Sequence, residues 1–131
     1  MSSSLRRKAK SHRDLLVWQR GLALVDEAYR LTDQLPRREQ YGITAQMRSA
    51  AVSIPANVAE GQGRYTTREF LRFLAIANGS LRELDTYCEI CLRRKYATSI
   101  DLDPMLLLGD EVGRMLSGLR SALKRRCQRK S

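Results

Sequence analysis

Two groups of side chains have the types and spacing that could support chemistry. The first is Cys88-x-x-Cys91, which has the spacing of a metal-binding or redox pair. A structural zinc ion needs four ligands, and the chain offers only one further cysteine, Cys127, and one histidine, His12. Both paired sulfurs also fall on an apolar helical stripe. The spacing therefore favours small buried side chains over a metal or redox centre.

The second group consists of Ser53, Asn57, Glu60 and Arg64, in which Ser53 and Asn57, and Glu60 and Arg64, are four residues apart. On a helix, each such pair meets on one face. Catalysis would need a nucleophile, a base and an oxyanion donor in one pocket, and no histidine accompanies Ser53. We expect structural roles, in which Ser53 and Asn57 satisfy carbonyls freed by Pro55 and Glu60 pairs with Arg64. We predict no enzymatic activity, no catalytic residue, no cofactor and no metal.

Positive charge is distributed unevenly along the chain. The net charge is +10, yet residues 14–119 are close to neutral. The N-terminal cations are Arg6, Arg7, Lys8, Lys10 and Arg13. The C-terminal cations of the predicted site are Lys124, Arg125, Arg126, Arg129 and Lys130. Basic tails attract a phosphate backbone, but they also occur as solubilising ends, and both interpretations stay open.

A third set of cations lies inside the neutral body. Arg64, Arg68 and Arg72 form an i, i+4, i+8 row at the predicted start of the third helix. Arginine binds phosphate through two parallel hydrogen bonds. The row is therefore either a phosphate-binding ridge or a solvated helix face.

The elements that must position these residues are four amphipathic helices. Apolar residues recur at steps of three and four, which predicts helices over about 14–34, 39–60, 66–95 and from Asp103 onward. The fourth helix is predicted to begin with Asp103 as its cap and Pro104 at its first position. The third carries a seven-residue apolar repeat from Phe70 to Cys91. No segment has the alternation of a strand.

Three features predict close packing or assembly. Apolar residues cover about half the circumference of the first helix, which is more than one buried face needs, so we expect self-association. Pro55 inside the second helix predicts a kink, and Gly61 and Gly63 should end that helix. Gly79 inside the third helix predicts close approach of another helix, because glycine costs about 1 kcal/mol there.

The fold class that follows is all-α, an antiparallel up-down-up-down four-helix bundle. Residues 1–13 are predicted to be a disordered basic tail, 14–123 the bundle and 124–131 a second basic tail. No apolar run reaches the ~20 residues of a membrane span. No secretory signal is visible and the cysteines form no disulfide framework, so we expect a cytoplasmic protein.

About half the chain, from Trp18 to Leu84, resembles the four-helix-bundle family encoded in intervening sequences of bacterial 23S ribosomal RNA. The matching motifs are Val17-Trp18-Gln19, Tyr41-Gly42, Gln46-Met47-Arg48, the segment AAVSIPAN over 50–57, Ala59-Glu60-Gly61 and the Phe70–Leu84 stretch. In it, Ser53, Pro55, Asn57, Glu60, Gly61 and Gly79 are the structural motif residues. The resemblance implies a homopentamer, and a relationship to the accessory variability determinant of diversity-generating retroelements, which binds nucleic acid and a reverse transcriptase.

The predicted function is an oligomeric helical-bundle protein that binds structured RNA, or nucleic acid generally, through phosphate contacts. The alternative is a protein-interaction scaffold or adaptor, for example for a reverse transcriptase, without a nucleic-acid site of its own. Base-specific readout is not expected, because no aromatic platform stands out in the sequence.

Overall fold

Helices account for most of the described part of the chain. The computed structural model describes residues 11–12 and 15–130, with the backbone alone for Lys130. The helices are α1 (Leu16–Thr32), α2 (Ile43–Gln62), α3 (Thr67–Arg93) and α4 (Ser99–Lys130), with a 3-10 turn (Arg37–Glu39) between α1 and α2. Within these residues there is no strand, which confirms the all-α prediction.

The first helix buries only part of its apolar surface. Val17, Leu24, Ala28 and Leu31 are buried in the core. Leu22 and Tyr29 stay partly exposed, at 41% and 42% accessible. The excess of apolar surface on α1 is therefore real within the protomer. After α1, the buried Leu35 and the following proline redirect the chain, since a residue before proline avoids the helical region.

The second helix keeps its proline inside. α2 continues through Pro55 and Gly61 to Gln62, and Gly63 is its C-cap. The prediction that Gly61 ends the helix was therefore wrong by two residues. Pro55 is buried against α1, where a Cβ added to Gly21 would lie 3.3 Å from the Pro55 Cβ. The two helices approach closely because glycine faces proline at this crossing.

The third helix begins with a side-chain cap and buries most of its predicted repeat. The Thr66 hydroxyl accepts a hydrogen bond from the Glu69 amide at 3.1 Å, which satisfies one of the free donors at the start of a helix. The repeat positions from Phe70 to Cys91 are buried, apart from the half-buried Phe70 and Leu81. A sustained seven-residue repeat thus does place one continuous face in the core.

The fourth helix begins earlier than predicted. It starts at Ser99, and Pro104 lies inside it. Thr98 and Asp101 bond reciprocally: the Asp101 amide donates to the Thr98 hydroxyl and the Thr98 amide to the Asp101 carboxylate, both at 3.1 Å. The extra turn buries Leu102, which is only 2% exposed. Burial of this side chain and the capping box formed by Thr98 and Asp101 outweigh the predicted helix start at Asp103 and Pro104.

The buried residues of α4 stay on one face along the helix. Met105, Leu108, Val112, Leu116 and Leu123 are buried. The alternation of three and four predicts Met115 and Ala122 for the last part of this face, but Met115 is half-buried and Ala122 is exposed. A strict repeat turns away by about 20° per seven residues on a straight helix, so Leu116 and Leu123 take these core positions.

Consecutive helices pack against each other, and α1 also packs against α4. The largest buried side chains come from all four helices; they include Leu24, Met47, Ile54, Leu74, Leu84, Met105 and Leu116. None of the helices in the described residues is long and apolar enough to cross a membrane.

Candidate nucleic-acid interface

The polar motif in α2 is a packed hydrogen-bond cluster. The Asn57 side-chain amide donates to the Ser53 carbonyl at 2.8 Å and to the Ser53 hydroxyl at 2.9 Å. The Ser80 hydroxyl, from α3, donates to the Ser53 hydroxyl at 2.8 Å. Asn57 therefore bonds the carbonyl of Ser53 and not that of Ala51, which Pro55 deprives of its helical partner. The sequence did not predict that Ser80 belongs to this cluster, because its bond to Ser53 joins two helices and its burial is known only from the structure.

This cluster ties α2 to α3 and has no catalytic geometry. Among the described residues, the hydrogen-bond partners of the Ser53 hydroxyl are Asn57 and Ser80, and neither is a histidine or an acid. A nucleophile needs a base within hydrogen-bond reach. The arrangement is a partly buried polar contact between two helices, which favours one register of their packing.

Gly61 lies at a close contact between α2 and α3. A Cβ added there would lie 2.8 Å from the Phe70 Cδ1 and 2.8 Å from the Phe73 Cβ. Only glycine allows these backbones to come so near. Gly79 is different: an added Cβ would have nothing within 4 Å. The prediction that another helix approaches Gly79 was wrong for the contacts within this protomer.

The predicted arginine row is split between a loop and a helix. Arg64 lies in the loop after α2, whereas Arg68 and Arg72 belong to the first two turns of α3. The row is therefore not one helical face, because α3 begins only at Thr67. Arg64 does pair with Glu60, as predicted. Arg68 is exposed and has no ion pair with any described residue.

Phe73 holds two of these guanidinium groups. The guanidinium carbons of Arg64 and Arg72 lie 4.8 Å and 4.6 Å from the centre of the Phe73 ring. Cation–π contacts of this length are favourable, and they leave the N–H edges of a guanidinium able to donate. Between these arginines, Tyr65 is fully exposed at 105% of its reference area. The segment Gly-Arg-Tyr-Thr-Thr-Arg over 63–68 could have indicated an exposed aromatic ring, because glycine and threonine are typical of a loop before a helix, but the sequence analysis did not single out Tyr65.

The C-terminal cations lie on the last turns of α4. Lys124, Arg125, Arg126 and Arg129 are exposed, and the helix continues to Lys130. The predicted C-terminal tail is thus helical in its described part, and Leu123 beside it belongs to the core. The N-terminal set, Arg6, Arg7, Lys8, Lys10 and Arg13, lies outside the described residues, as does the predicted disorder of 1–10 and 13.

The cysteine pair is buried among methionines. The Cys88 Sγ lies 3.5 Å from the Met105 Sδ, and the Cys91 Sγ lies 3.6 Å from the Met47 Sδ. Burial raises the pKa of Cys88 to about 12 and that of Cys91 to about 11, so both remain neutral thiols at pH 7. Within the described residues, no three His, Cys, Asp or Glu side chains are grouped to hold a metal ion.

A family model for the 23S rRNA-intervening sequence protein matches residues 13–118. The chain belongs to this family. No curated protein matches the chain.

One cluster of cations lies inside the matched residues and the others lie mostly outside them. The Arg64, Arg68 and Arg72 cluster and the whole α2 motif lie inside the part that matches the 23S rRNA-intervening sequence protein family. The C-terminal cations from Lys124 onward lie beyond it, and so do all the N-terminal cations except Arg13. The bundle is thus the family part of this protein, and most of the excess positive charge is added to it.

Proposed function

We propose that this member of the 23S rRNA-intervening sequence protein family is a non-enzymatic protein that binds structured RNA, or nucleic acid in general, through phosphate contacts. The observation that carries the proposal is the last part of α4. From Val112 to Lys130 the helix has seven arginines and lysines and no acidic residue. Cations without neighbouring acids create a positive potential that attracts a phosphate backbone.

The helix presents these cations on one side. At about 100° per residue, Lys124, Arg125, Arg126 and Arg129 span roughly 200° of the circumference. Leu123 and Cys127 occupy the remaining arc, where one is buried and the other half-buried. The core contact of Leu123 therefore directs the four cations toward solvent, where a nucleic-acid backbone could reach them.

The α2–α3 loop and the first turns of α3 add a second group of contacts. Arg64 and Arg72 are held against Phe73, so less side-chain entropy is lost when they bind a phosphate. Arg68 is exposed beside them. Tyr65 offers an exposed ring on which an unpaired base could stack, a contact that tolerates any base.

An antiparallel up-down-up-down arrangement is part of this proposal, and it would place both groups at one end of the bundle. It is supported by pairs of contacts. Arg20 pairs with Glu111 at 3.0 Å, whereas Arg30 donates to the Asp101 carbonyl at 3.0 Å. The earlier residue of α1 thus contacts the later residue of α4, which is the pattern of two antiparallel helices. The start of α1, the α2–α3 loop and the end of α4 would then face the same nucleic acid.

Self-association into a homopentamer is a further part of the proposal. The family resemblance suggests it, and the half-exposed apolar side chains of α1, Leu22 and Tyr29, with the exposed Leu16, support a contact between copies. Five basic ends on one particle would bind a long RNA with much higher avidity than one. Multi-angle light scattering of the full chain tests this, because a monomeric mass would contradict it.

The nucleic-acid proposal is tested by neutralising α4 in the full chain. Truncation at residue 119 is unsuitable because it removes Leu123, which is in the core. The triple variant Lys124→Gln, Arg125→Gln, Arg126→Gln is compared with Lys124→Arg, Arg125→Lys, Arg126→Lys, which keeps the charge. Fluorescence anisotropy measures binding to a labelled RNA hairpin over a series of KCl concentrations.

The neutral variant should bind more weakly, and the salt slope should fall by about 1 for each phosphate that the variant no longer contacts. The charge-preserving variant should match the wild type. Arg68→Gln tests the arginine group at the start of α3 in the same assay, without removing an arginine that packs on Phe73. If the neutral α4 variant is unchanged and Arg68→Gln binds more weakly, the site lies at the start of α3 and not at the end of α4.

The alternative function is an interaction scaffold, for example an adaptor for a reverse transcriptase, as the resemblance to the retroelement variability determinant suggests. The exposed apolar side chains of α1, Leu16, Leu22 and Tyr29, favour it, since exposed apolar surface can mark protein contacts. Absence of RNA binding by the wild type at low salt would leave the scaffold as the better interpretation.

A further inference from the structure

A second basic surface lies where the segment after α1 meets the segment after α3. The Tyr96 hydroxyl donates to the Glu39 Oε2 at 2.7 Å, and the Arg38 guanidinium carbon lies 5.8 Å from the centre of the Tyr96 ring. The Ile43 amide, at the start of α2, also donates to the Glu39 carboxylate, at 3.3 Å. These contacts join residues 37–43 and 94–96 into one continuous surface.

Cations outnumber acids on this surface. Arg37, Arg38, Arg94 and Lys95 are exposed, and none of them has an ion pair with a described residue. Glu39 is the acid among them, and its carboxylate is already engaged by Tyr96 and Ile43. Those bonds, with Arg38 and Arg94 nearby, hold the Glu39 pKa below its ordinary value. The surface therefore keeps a net positive charge.

Lys95 occupies a backbone position that suits glycine. It has φ 62°, and it is the only described residue with a positive φ, glycines included. It follows the C-cap Arg94 of α3, and the Tyr96 amide donates to the Cys91 carbonyl at 2.9 Å, which closes a Schellman motif. Glycine is the usual residue there because a Cβ is disfavoured at positive φ. A lysine at this position is unfavourable for folding, and a binding role for its ammonium group would explain it.

Tyr41 supplies an exposed ring beside these cations. It is 88% accessible and lies two residues after Glu39, immediately before the Gly42 cap of α2. Exposed aromatic rings next to cations are the combination that binds single-stranded nucleic acid, in which bases stack and phosphates pair with the cations.

We infer that Arg37, Arg38, Arg94, Lys95 and Tyr41 form a second nucleic-acid contact, which takes an unpaired segment with its phosphates on the cations and a base on Tyr41. This inference rests on the proposed function for its ligand class. The new surface is separate from the first site: α2, whose 20 residues rise about 30 Å at 1.5 Å each, lies between Gly42 and the α2–α3 loop. One protomer would thus hold two segments of nucleic acid.

The test uses the full chain with Lys95→Gly and, separately, Tyr41→Ala. The probe is a fluorescein-labelled single-stranded oligouridine, measured by anisotropy over a KCl series, and stability is measured by chemical denaturation. Lys95→Gly should increase resistance to denaturant, because the positive φ is relieved, and yet weaken binding. Its salt slope should fall by about 0.7, because one cation no longer pairs with a phosphate of the single strand. Weaker binding together with a gain in stability cannot come from misfolding.

Tyr41→Ala should weaken oligouridine binding about fivefold or more, the range found for one stacked base. Wild-type affinity in both variants, while the neutral α4 variant binds more weakly, would overturn this inference and leave the proposed function intact. Absence of binding by the wild type would overturn both. Displacement of the probe by poly-glutamate as readily as by unlabelled oligouridine would mark a general polyanion surface and overturn the inference as well.

Discussion

Replacement of Gly61 by alanine should push α2 and α3 slightly apart and destabilise the protein. The new Cβ would lie 2.8 Å from the Phe73 Cβ, 2.8 Å from the Phe70 Cδ1 and 3.2 Å from the Phe70 carbonyl oxygen. The Phe70 ring can rotate, but the Phe73 Cβ and the carbonyl are tied to the backbone of α3. The helices must therefore move apart by about 0.6 Å to restore an ordinary contact of 3.4 Å.

The expected magnitude follows from two opposing effects. Alanine improves helix propensity by about 1 kcal/mol. Overpacking of a rigid contact costs up to about 3 kcal/mol. The free energy of unfolding should fall by about 2 kcal/mol, and the melting temperature by roughly 8 °C for a domain of this size.

Gly63→Ala is the matched control for this prediction. Gly63 is the C-cap of α2 with φ −82°, and its added Cβ would meet nothing closer than two carbonyl oxygens at 3.7 Å. Alanine fits there and should stabilise the protein by about 0.4–1 kcal/mol. Both variants are unfolded with urea and followed by circular dichroism. Equal stability of Gly61→Ala and the wild type, or a shift of both variants in the same direction, would refute the close approach at Gly61.

Three further predictions concern the cap of α4 and the buried thiols. Thr98→Ala should lower the free energy of unfolding by about 1 kcal/mol in urea titrations, because the Asp101 amide loses its acceptor. Hydrogen bonds from Thr98 hold the Asp101 pKa below its ordinary value of 3.8. Asp101 therefore adds stability that is present above pH ~4 and lost as the pH falls through the lowered pKa. The free energy of unfolding of Asp101→Asn should fall less steeply between about pH 5 and pH 2 than that of the wild type, and an identical pH dependence would contradict this. Burial raises the pKa of Cys88 to about 12 and of Cys91 to about 11. Both thiols should therefore react with a thiol reagent at about pH 8 only after unfolding, and fast labelling of either in the folded protein would count against their burial. The free energy of unfolding should also decline above pH ~9, because the thiols ionise there only in the unfolded chain.

The helices and their buried faces were predictable because local periodicity determines them. The repeat from Phe70 to Cys91 is buried as expected, apart from the half-buried Phe70 and Leu81, since one apolar face per helix is enough to define a bundle core. The start of α4 was not predictable in the same way. Two start signals, at Thr98 and at Asp103, compete within six residues, and the burial of Leu102 decides between them only once the helices are packed.

The candidate sites were less predictable, because they depend on contacts between segments. The spacing of Arg64 and Arg68 suggested one helical face, but the loop that ends before Thr67 breaks it. Nothing in the order of residues indicates that Arg64 and Arg72 meet on Phe73. Likewise, the charge of Lys95 suits a helix end, and its positive φ is evident only from the backbone.

The most direct test of the central claim is the affinity of the full-length protein for an RNA hairpin as a function of KCl concentration. If phosphate contacts bind the RNA, the logarithm of the association constant should fall linearly with the logarithm of salt concentration, with a slope of several units between about 50 and 200 mM. A flat dependence, or no binding at about 50 mM salt, would contradict the proposed function.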